Sequence, residues 1–228
     1  MKDAGIVNVM ESKRFMYSHR QVKSWFEMKT QLFVVGVLST DSYVVHCRKT
    51  KDAIVIDPGF ESSSEAQQII NHIEKEAVNV KFIVDTHGHE DHVSGNLLLK
   101  RKFNAPICIH KYDAVLVEDL GAAAPPANVV LNEGDTIEFG DVKLKVMHTP
   151  GHTPGSICLL GENVIFTGDT LFAGGIGRTD FAGGSDRDMR FSLARLLRLP
   201  EVLVVYPGHG PATTIGEEKR SNPFLSWL

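Results

Sequence analysis

The chain is short of the features that would take it outside the ordinary globular range. Three cysteines occur in 228 residues, Cys47, Cys108 and Cys158, an odd and scattered set within apolar, strand-like runs. That excludes a disulfide frame or a CxxC metal site and fits small buried hydrophobes in a reducing compartment, so a cytoplasmic location is expected. No apolar run approaches the ~20 residues a membrane span requires, and no apolar stretch near the start resembles a secretory signal. Charge of one sign is also missing. The 24 Lys and Arg against 28 Asp and Glu leave a net charge of −4 and a pI near 6.2, which offers no footprint for nucleic acid or an anionic membrane. Neither a Gly-x-Ser-x-Gly elbow nor a Cys/His nucleophile pair is visible. What remains is a composition 43% hydrophobic and 23% charged, that of a domain with a sizeable core.

Residues 1–30 mix Lys13, Arg14, Arg20 and Lys23 with Phe15, Tyr17, Trp25 and Phe26 without a clean period. They read as an N-terminal arm, poorly ordered or docked on the same or a neighbouring subunit, so a homo-oligomer is compatible with the sequence. A single catalytic domain is expected over 31–228. Apolar runs at 32–38, 43–47 and 53–56 predict a β-meander ending in the turn Asp57-Pro58-Gly59. Ser62 with Glu65 forms a capping box, and Ala66, Ile69, Ile70, Ile73 and Ala77 make a core-facing helical stripe. A strand at 81–84, a helix from 93 to 103, a strand at 105–110 and a helix from 111 to about 120 follow. Gly121–Ala127 reads as a loop. A second β-series covers 136–139, 142–147, 156–160 and 164–166. A helix from the N-cap Ser185 runs until Pro200 stops it, and a last strand takes 202–205. Each half is a strand series, a helix, then a strand with histidine beyond its end. The halves therefore predict two αβ units packed sheet against sheet with helices outside, a four-layer α/β domain.

Thr86-His87-Gly88-His89-Glu90-Asp91-His92 places three imidazoles and a carboxylate within six positions after a buried strand. Neutral imidazole and carboxylate are the ligands that zinc and similar divalent ions prefer. In extended chain, side chains two apart share a side, so His87 and His89 can grip one ion together. Asp91 and His92, entering a helix, point elsewhere, toward a second ion. Three more candidates sit just past strands and beside glycine: His148 in His148-Thr149-Pro150-Gly151-His152-Thr153-Pro154-Gly155, Asp169 in Thr167-Gly168-Asp169-Thr170, and His209 in Pro207-Gly208-His209-Gly210. With the first loop they supply seven ligands, enough for two ions sharing one carboxylate.

HxHxDH at 87–92 followed by His148, Asp169 and His209 resembles the metallo-β-lactamase superfamily, with motifs from about Leu32 to Pro223. The runs Thr167–Phe172, Gly177-Arg178-Thr179-Asp180-Phe181 and Gly208–Thr214 are similar to those of short glyoxalase II-like hydrolases. The resemblance implies an αββα sandwich in which His87, His89 and His148 bind one metal, Asp91, His92 and His209 the other, and Asp169 bridges. It places Asp57 and His152 among residues that support the ligands, and Asp91 and His209 in the catalytic centre. Where family members contact glutathione through a Lys and a Tyr, this chain offers Arg178, able to pair with a substrate carboxylate, and Leu159, which has no hydroxyl.

The activity implied is hydrolysis of a small acyl thioester or ester by a metal-bridging hydroxide. The cofactors expected are two zinc ions, with iron or manganese as alternatives. Metal lowers the pKa of water to about 7, so hydroxide forms at neutral pH without a side-chain base. The rival reading is a persulfide dioxygenase on the same fold, with a Gly-Arg-Thr-Asp-Phe run like 177–181 and one iron at positions matching His87, His148 and Asp169.

Overall fold

The computed structural model describes residues 27–119 and 125–226. Two six-stranded sheets form its centre. The first takes β1 (Met28–Val35), β2 (Thr40–Cys47), β3 (Asp52–Ile56), β4 (Asn79–Val84), β5 (Ile107–His110) and β6 (Val129–Leu131) in chain order. β1 to β3 are antiparallel, and β3 to β6 run parallel. Parallel neighbours need crossovers. They are α1 (Ser63–Glu76), then α2 (Glu90–Val93) with α3 (Asn96–Phe103), then α4 (Lys111–Asp119). The second sheet contains β7 (Thr136–Phe139), β8 (Val142–His148), β9 (Ile157–Leu160), β10 (Val164–Gly168), β13 (Val204–Pro207) and β14 (Thr213–Thr214), in the order β14-β13-β10-β9-β8-β7. α5 (Asp186–Leu196) crosses between the parallel pair β10 and β13. A hairpin of β11 (Leu171–Phe172) and β12 (Gly175–Ile176) stands apart, and α6 (Ile215–Ser221) follows β14.

Side-chain alternation sets the layers. In β8, Val142, Leu144 and Val146 are buried and Lys143 and Lys145 exposed, as the strict apolar/polar alternation predicts. Every residue of β2 is buried, because both its faces are covered. Tyr43, Val45, Ile54, Ile56 and Val84 of the first sheet meet Ile137, Phe139, Leu144, Val146, Leu159 and Phe166 of the second. The opposite face of the first sheet, with Val44, Val55 and Ile83, packs on Ala66, Ile69 and Ile73 of α1. On the far side Met189, Leu193 and Leu196 of α5 cover Cys158, Ile165 and Val205. The result is the four-layer αββα sandwich. Burying one such Leu, Ile or Phe contributes about 1.5–3 kcal/mol, so the core between the sheets is the main source of stability.

α1 begins at the capping box expected from Ser62 and Glu65: the Ser62 hydroxyl accepts from Glu65 N, and the Glu65 carboxylate accepts from Ser62 N at 3.0 Å. Ser62→Ala is expected to lower the unfolding free energy by about 1 kcal/mol, read from the midpoint of urea denaturation.

Several boundaries differ from expectation. β1 already includes Met28 to Thr30, assigned above to the arm, whose residues 1–26 lie outside the described residues, as do Gly121 to Ala124 of the loop. The helix expected over 93–103 is broken at Ser94 and Gly95, where Gly95 N donates to Pro58 O at 2.7 Å. The break lets α2 carry Asp91 and His92 in its own direction. The last long strand occupies 204–207, two residues later than expected.

Candidate metal centre

The chain leaves β3, β4, β10 and β13 at one edge of the sandwich, and Asp57, the 86–92 loop, Asp169 and His209 follow those strands there. Backbone contacts lock the two sheets together at this edge: Asp41 N donates to Gly208 O at 2.7 Å, and Ile157 N donates to Thr86 O at 2.9 Å. Thr40 and His209 form an isolated antiparallel bridge.

Seven side chains converge: His87, His89, Asp91, His92, His152, Asp169 and His209. They fall into overlapping groups whose ligand atoms lie within 4.8 Å of one another: His87 with His89 and His152, His87 with His92 and Asp169, and Asp91 with His92 and His209. His152 Nε2 is 2.9 Å from His89 Nδ1. His209 Nε2 is 3.3 Å from His92 Nε2 and 3.4 Å from Asp91 Oδ2. Asp169 stands between the groups, with Oδ2 3.4 Å from His152 Nε2 and 3.5 Å from His209 Nε2, and Oδ1 3.5 Å from His92 Nε2. It gets there because Gly168, at φ +46°, turns the chain out of β10 against Thr86, whose side chain a Cβ at 168 would strike.

Supporting contacts fix the rings. Asp57, itself at φ +48°, accepts from Thr86 N and Thr86 Oγ1, each at 2.7 Å, and lies 3.0 Å from His92 Nδ1. Thr40 Oγ1 donates to Asp91 Oδ2 at 3.0 Å. His152 Nδ1 lies 2.8 Å from Arg178 O. A carbonyl can only accept, so Nδ1 carries the proton and Nε2 presents its lone pair to the cluster. Thr86 Oγ1 is 3.2 Å from His87 Nδ1, while His87 Nε2 is buried without a hydrogen-bond partner, as is Asp169 Oδ1.

Burial and neighbouring charge sort the protonation states. Burial, reinforced by the other histidines, pushes His87 well below its ordinary range and His89 down to about 4. Burial also works against charge on His92 and His209, but the surrounding carboxylates prevail: Asp57, Asp169 and Asp91 raise His92 to about 9, and Asp169 and Asp91 raise His209 to about 10. Despite their own burial, Asp91 and Asp169 are held below the usual carboxylate range by His209 and His92. His87 and His89 are neutral and Asp91 and Asp169 anionic, a donor set suited to a cation, and a cation binding beside them would displace the protons of His92 and His209.

One expected ligand is not in the cluster. His148, the last residue of β8, pairs with Ile157 in the sheet, stacks on His110 with ring centroids 4.1 Å apart, and places Nε2 2.8 Å from Pro154 O. Its backbone is tied down as well, N donating to Glu133 and O accepting from Arg195. His152, expected only to support the ligands, stands in its place. Arg178 is also engaged: Nε and Nη2 each donate to Asp180 at 2.7 Å, and the guanidinium lies 3.8 Å from the Phe181 ring centroid. Phe181 in turn sits 5.6 Å from the His89 ring, and Phe172 6.0 Å from the His209 ring. Thr40 and Thr86 escaped sequence reading, since a threonine at a strand end carries no signal of its own.

Residues 35–209 match the metallo-beta-lactamase superfamily. The chain belongs to that superfamily. Among metallo-beta-lactamase relatives, a hydroxyacylglutathione hydrolase GloC of Haemophilus influenzae is 40% identical over 191 residues, covering 77% of this chain and 88% of the relative. The structure of the BLEG-1 B3 metallo-beta-lactamase aligns at 33% identity and a TM-score of 0.77, over 87% of this chain and all of the other. That of ETHE1 from Myxococcus xanthus aligns at 32% identity and a TM-score of 0.76, over 86% of this chain and 83% of the other. This metallo-beta-lactamase superfamily member therefore has a hydrolase-like fold with His/Asp groups able to hold metal. Among the described residues no helix is long and apolar enough to cross a membrane.

Proposed function

We propose that the chain is a metal-dependent hydrolase that cleaves a small acyl thioester or a related ester, as the similarity to a hydroxyacylglutathione hydrolase suggests. The carrying observation is Asp169, whose carboxylate faces both ligand groups, Oδ2 lying between His152 and His209 and Oδ1 beside His92. Nitrogen and oxygen ligands 2.0–2.2 Å from a tetrahedral ion sit about 3.4 Å from each other, and the pairs around Asp169 and His209 measure 3.3–3.5 Å. The unpartnered, buried Nε2 of His87 fits the same reading, because such an atom is costly to bury without a partner.

His87, His89 and His152 would hold one ion, Asp91, His92 and His209 the other, and Asp169 both. Bound there, two divalent ions, zinc by ligand type or else iron or manganese, would lower the pKa of water to about 7 and polarise a carbonyl. The chain's own residues do the rest. Thr40 steadies Asp91, Asp57 orients His92, and the Arg178 carbonyl fixes His152. Phe181 and Phe172 give the centre an apolar flank on either side, beside His89 and His209. Arg178, exposed and stacked on Phe181, would meet a substrate carboxylate by exchanging Asp180 for it. Three buried free thiols fit a reducing cytoplasm.

Metal-loaded protein is expected to turn over at least one member of a broad panel of acyl thioesters and esters. His89→Ala should lower kcat/KM by more than ~100-fold, beyond what losing a supporting residue costs. No turnover of any panel member, with His89→Ala indistinguishable from wild type, would sink the proposal.

A second reading is favoured by the 177–181 run, which packs on the site. A Cβ at Gly177 would collide with Asp169 O, and Phe181 adjoins His89. His87, grouped with His152 on one side and with Asp169 on the other, would complete with them a two-histidine, one-carboxylate set of the kind that holds a single iron in oxygenases. The similarity to ETHE1 fits this reading. One iron per chain together with oxygen uptake on persulfide would select it over hydrolysis.

A further inference from the structure

Asp113 belongs to none of the ligand groups, yet it touches both loops that deliver the first of them. It lies on α4 with no exposed surface. Its Oδ2 accepts from Gly88 N at 2.9 Å, and Gly88 is the residue between His87 and His89. The same oxygen accepts from Thr153 Oγ1 at 2.6 Å, and Thr153 follows His152. Oδ1 accepts from Gly155 N at 2.6 Å. Ser156 closes the second loop around this contact, its hydroxyl lying 2.7 Å from Thr153 Oγ1 and accepting from Thr153 N at 3.1 Å. One carboxylate thus joins the loop after β4, in the first sheet, to the loop between β8 and β9, in the second.

We propose that Asp113 is a positioning residue that sets the spacing of His87 and His89 against His152, and so builds the first ion's site from two separate halves of the chain. This rests on reading those three histidines as ligands. Asp113 reaches no ligand atom itself; it acts through the two backbones. Only a carboxylate satisfies the arrangement. Each oxygen receives a backbone N–H that cannot turn away, Gly88 on one and Gly155 on the other. An asparagine would therefore set its NH2 against one of them in either orientation. The glycine at 155 is part of the same device, since a Cβ there would run into the Asp113 carboxylate. Nothing comparable links the Asp91, His92 and His209 group to α4 among the described residues, so the effect should be confined to one ion. Buried, fully bonded groups behind metal ligands typically tune affinity 10–100-fold.

The test compares metal binding by the full chain as wild type, Asp113→Asn and Thr153→Val. Zinc affinity is measured by competition with a chromophoric chelator, and the ligand field by absorption of the cobalt-substituted proteins. Wild type is expected to bind two ions. Asp113→Asn should keep one at wild-type affinity, weaken the other 10–100-fold and change the cobalt bands of that site alone. Thr153→Val, which removes one of the three bonds and leaves both backbone contacts, should weaken the same ion by a smaller factor with unchanged circular dichroism. Two ions bound by both variants with wild-type affinities and spectra would overturn the positioning role while leaving the ligand reading intact. A wild type that binds no ion would instead refute the ligand reading. If Asp113→Asn fails to fold, Thr153→Val decides: selective weakening of one ion supports the role, and unchanged binding of both rejects it.

Discussion

His152→Ala is expected to bind one ion fewer than wild type and to lose more than ~100-fold in kcat/KM, whereas His148→Ala should keep its full metal content. The two histidines open identical tetrapeptides, His148-Thr149-Pro150-Gly151 and His152-Thr153-Pro154-Gly155, so neighbouring residues do not tell them apart. The structure does. The His148 ring is held away from the cluster by stacking on His110 and by its contact with Pro154 O. His152 has its proton fixed on Nδ1 by Arg178 O, and its unprotonated Nε2 lies 2.9 Å from His89 Nδ1 and 3.4 Å from Asp169. Losing His148 costs packing and a hydrogen bond, on the order of 1–2 kcal/mol of stability, which a thermal melt would register while metal analysis stays level. If His148→Ala sheds an ion and His152→Ala does not, the arrangement described here is wrong.

Chelation should be the other large effect. An ion that binds only the folded chain stabilises it by about 4 kcal/mol at a thousand times its Kd, and for a domain of this size each kcal/mol moves Tm by roughly 2–4 °C. Stripping one such ion is therefore expected to lower Tm by about 8–16 °C, with a further fall for the second. The physical cause lies in the cluster: five imidazoles crowd around two carboxylates, and the buried His87 Nε2 and Asp169 Oδ1 lack hydrogen-bond partners. A melting curve recorded with and without a strong chelator, then after adding metal back, measures this. An unchanged Tm would mean that the cluster does not depend on a cation.

Much of this architecture is legible in the sequence because local signals agree with the fold. The alternation in Val142–Val146, the Ser62/Glu65 capping box and the Met189, Leu193 and Leu196 stripe each reappear as buried faces or caps. The elements that went unread are short. β6 has three residues, two of them exposed at a sheet edge, so no alternation can develop. α6 has seven and includes Gly216, which dilutes its helical character, although its Thr214-x-x-Glu217 start is a usable signal: Thr214 Oγ1 accepts from Glu217 N.

The site divides in the same way. His87, His89, Asp91 and His92 stand together in the chain, so their convergence is local, and Asp169 and His209 each have a single candidate position after a strand. The choice between His148 and His152 depends on how the turn after β8 folds back, with Gly151 at φ +145°, and that is a tertiary matter. Asp113 is invisible for a related reason. A lone aspartate on a helix gains meaning only once two distant loops are folded against it.

The central claim is that Asp169 stands between two ions, one in each histidine group. Anomalous diffraction from zinc-loaded crystals addresses it most directly. Two peaks about 3.5–4 Å apart are expected, each within bonding distance of the Asp169 carboxylate, with His152 and not His148 on the first. A single peak remote from Asp169, or no peak in the cluster after soaking, would contradict the account.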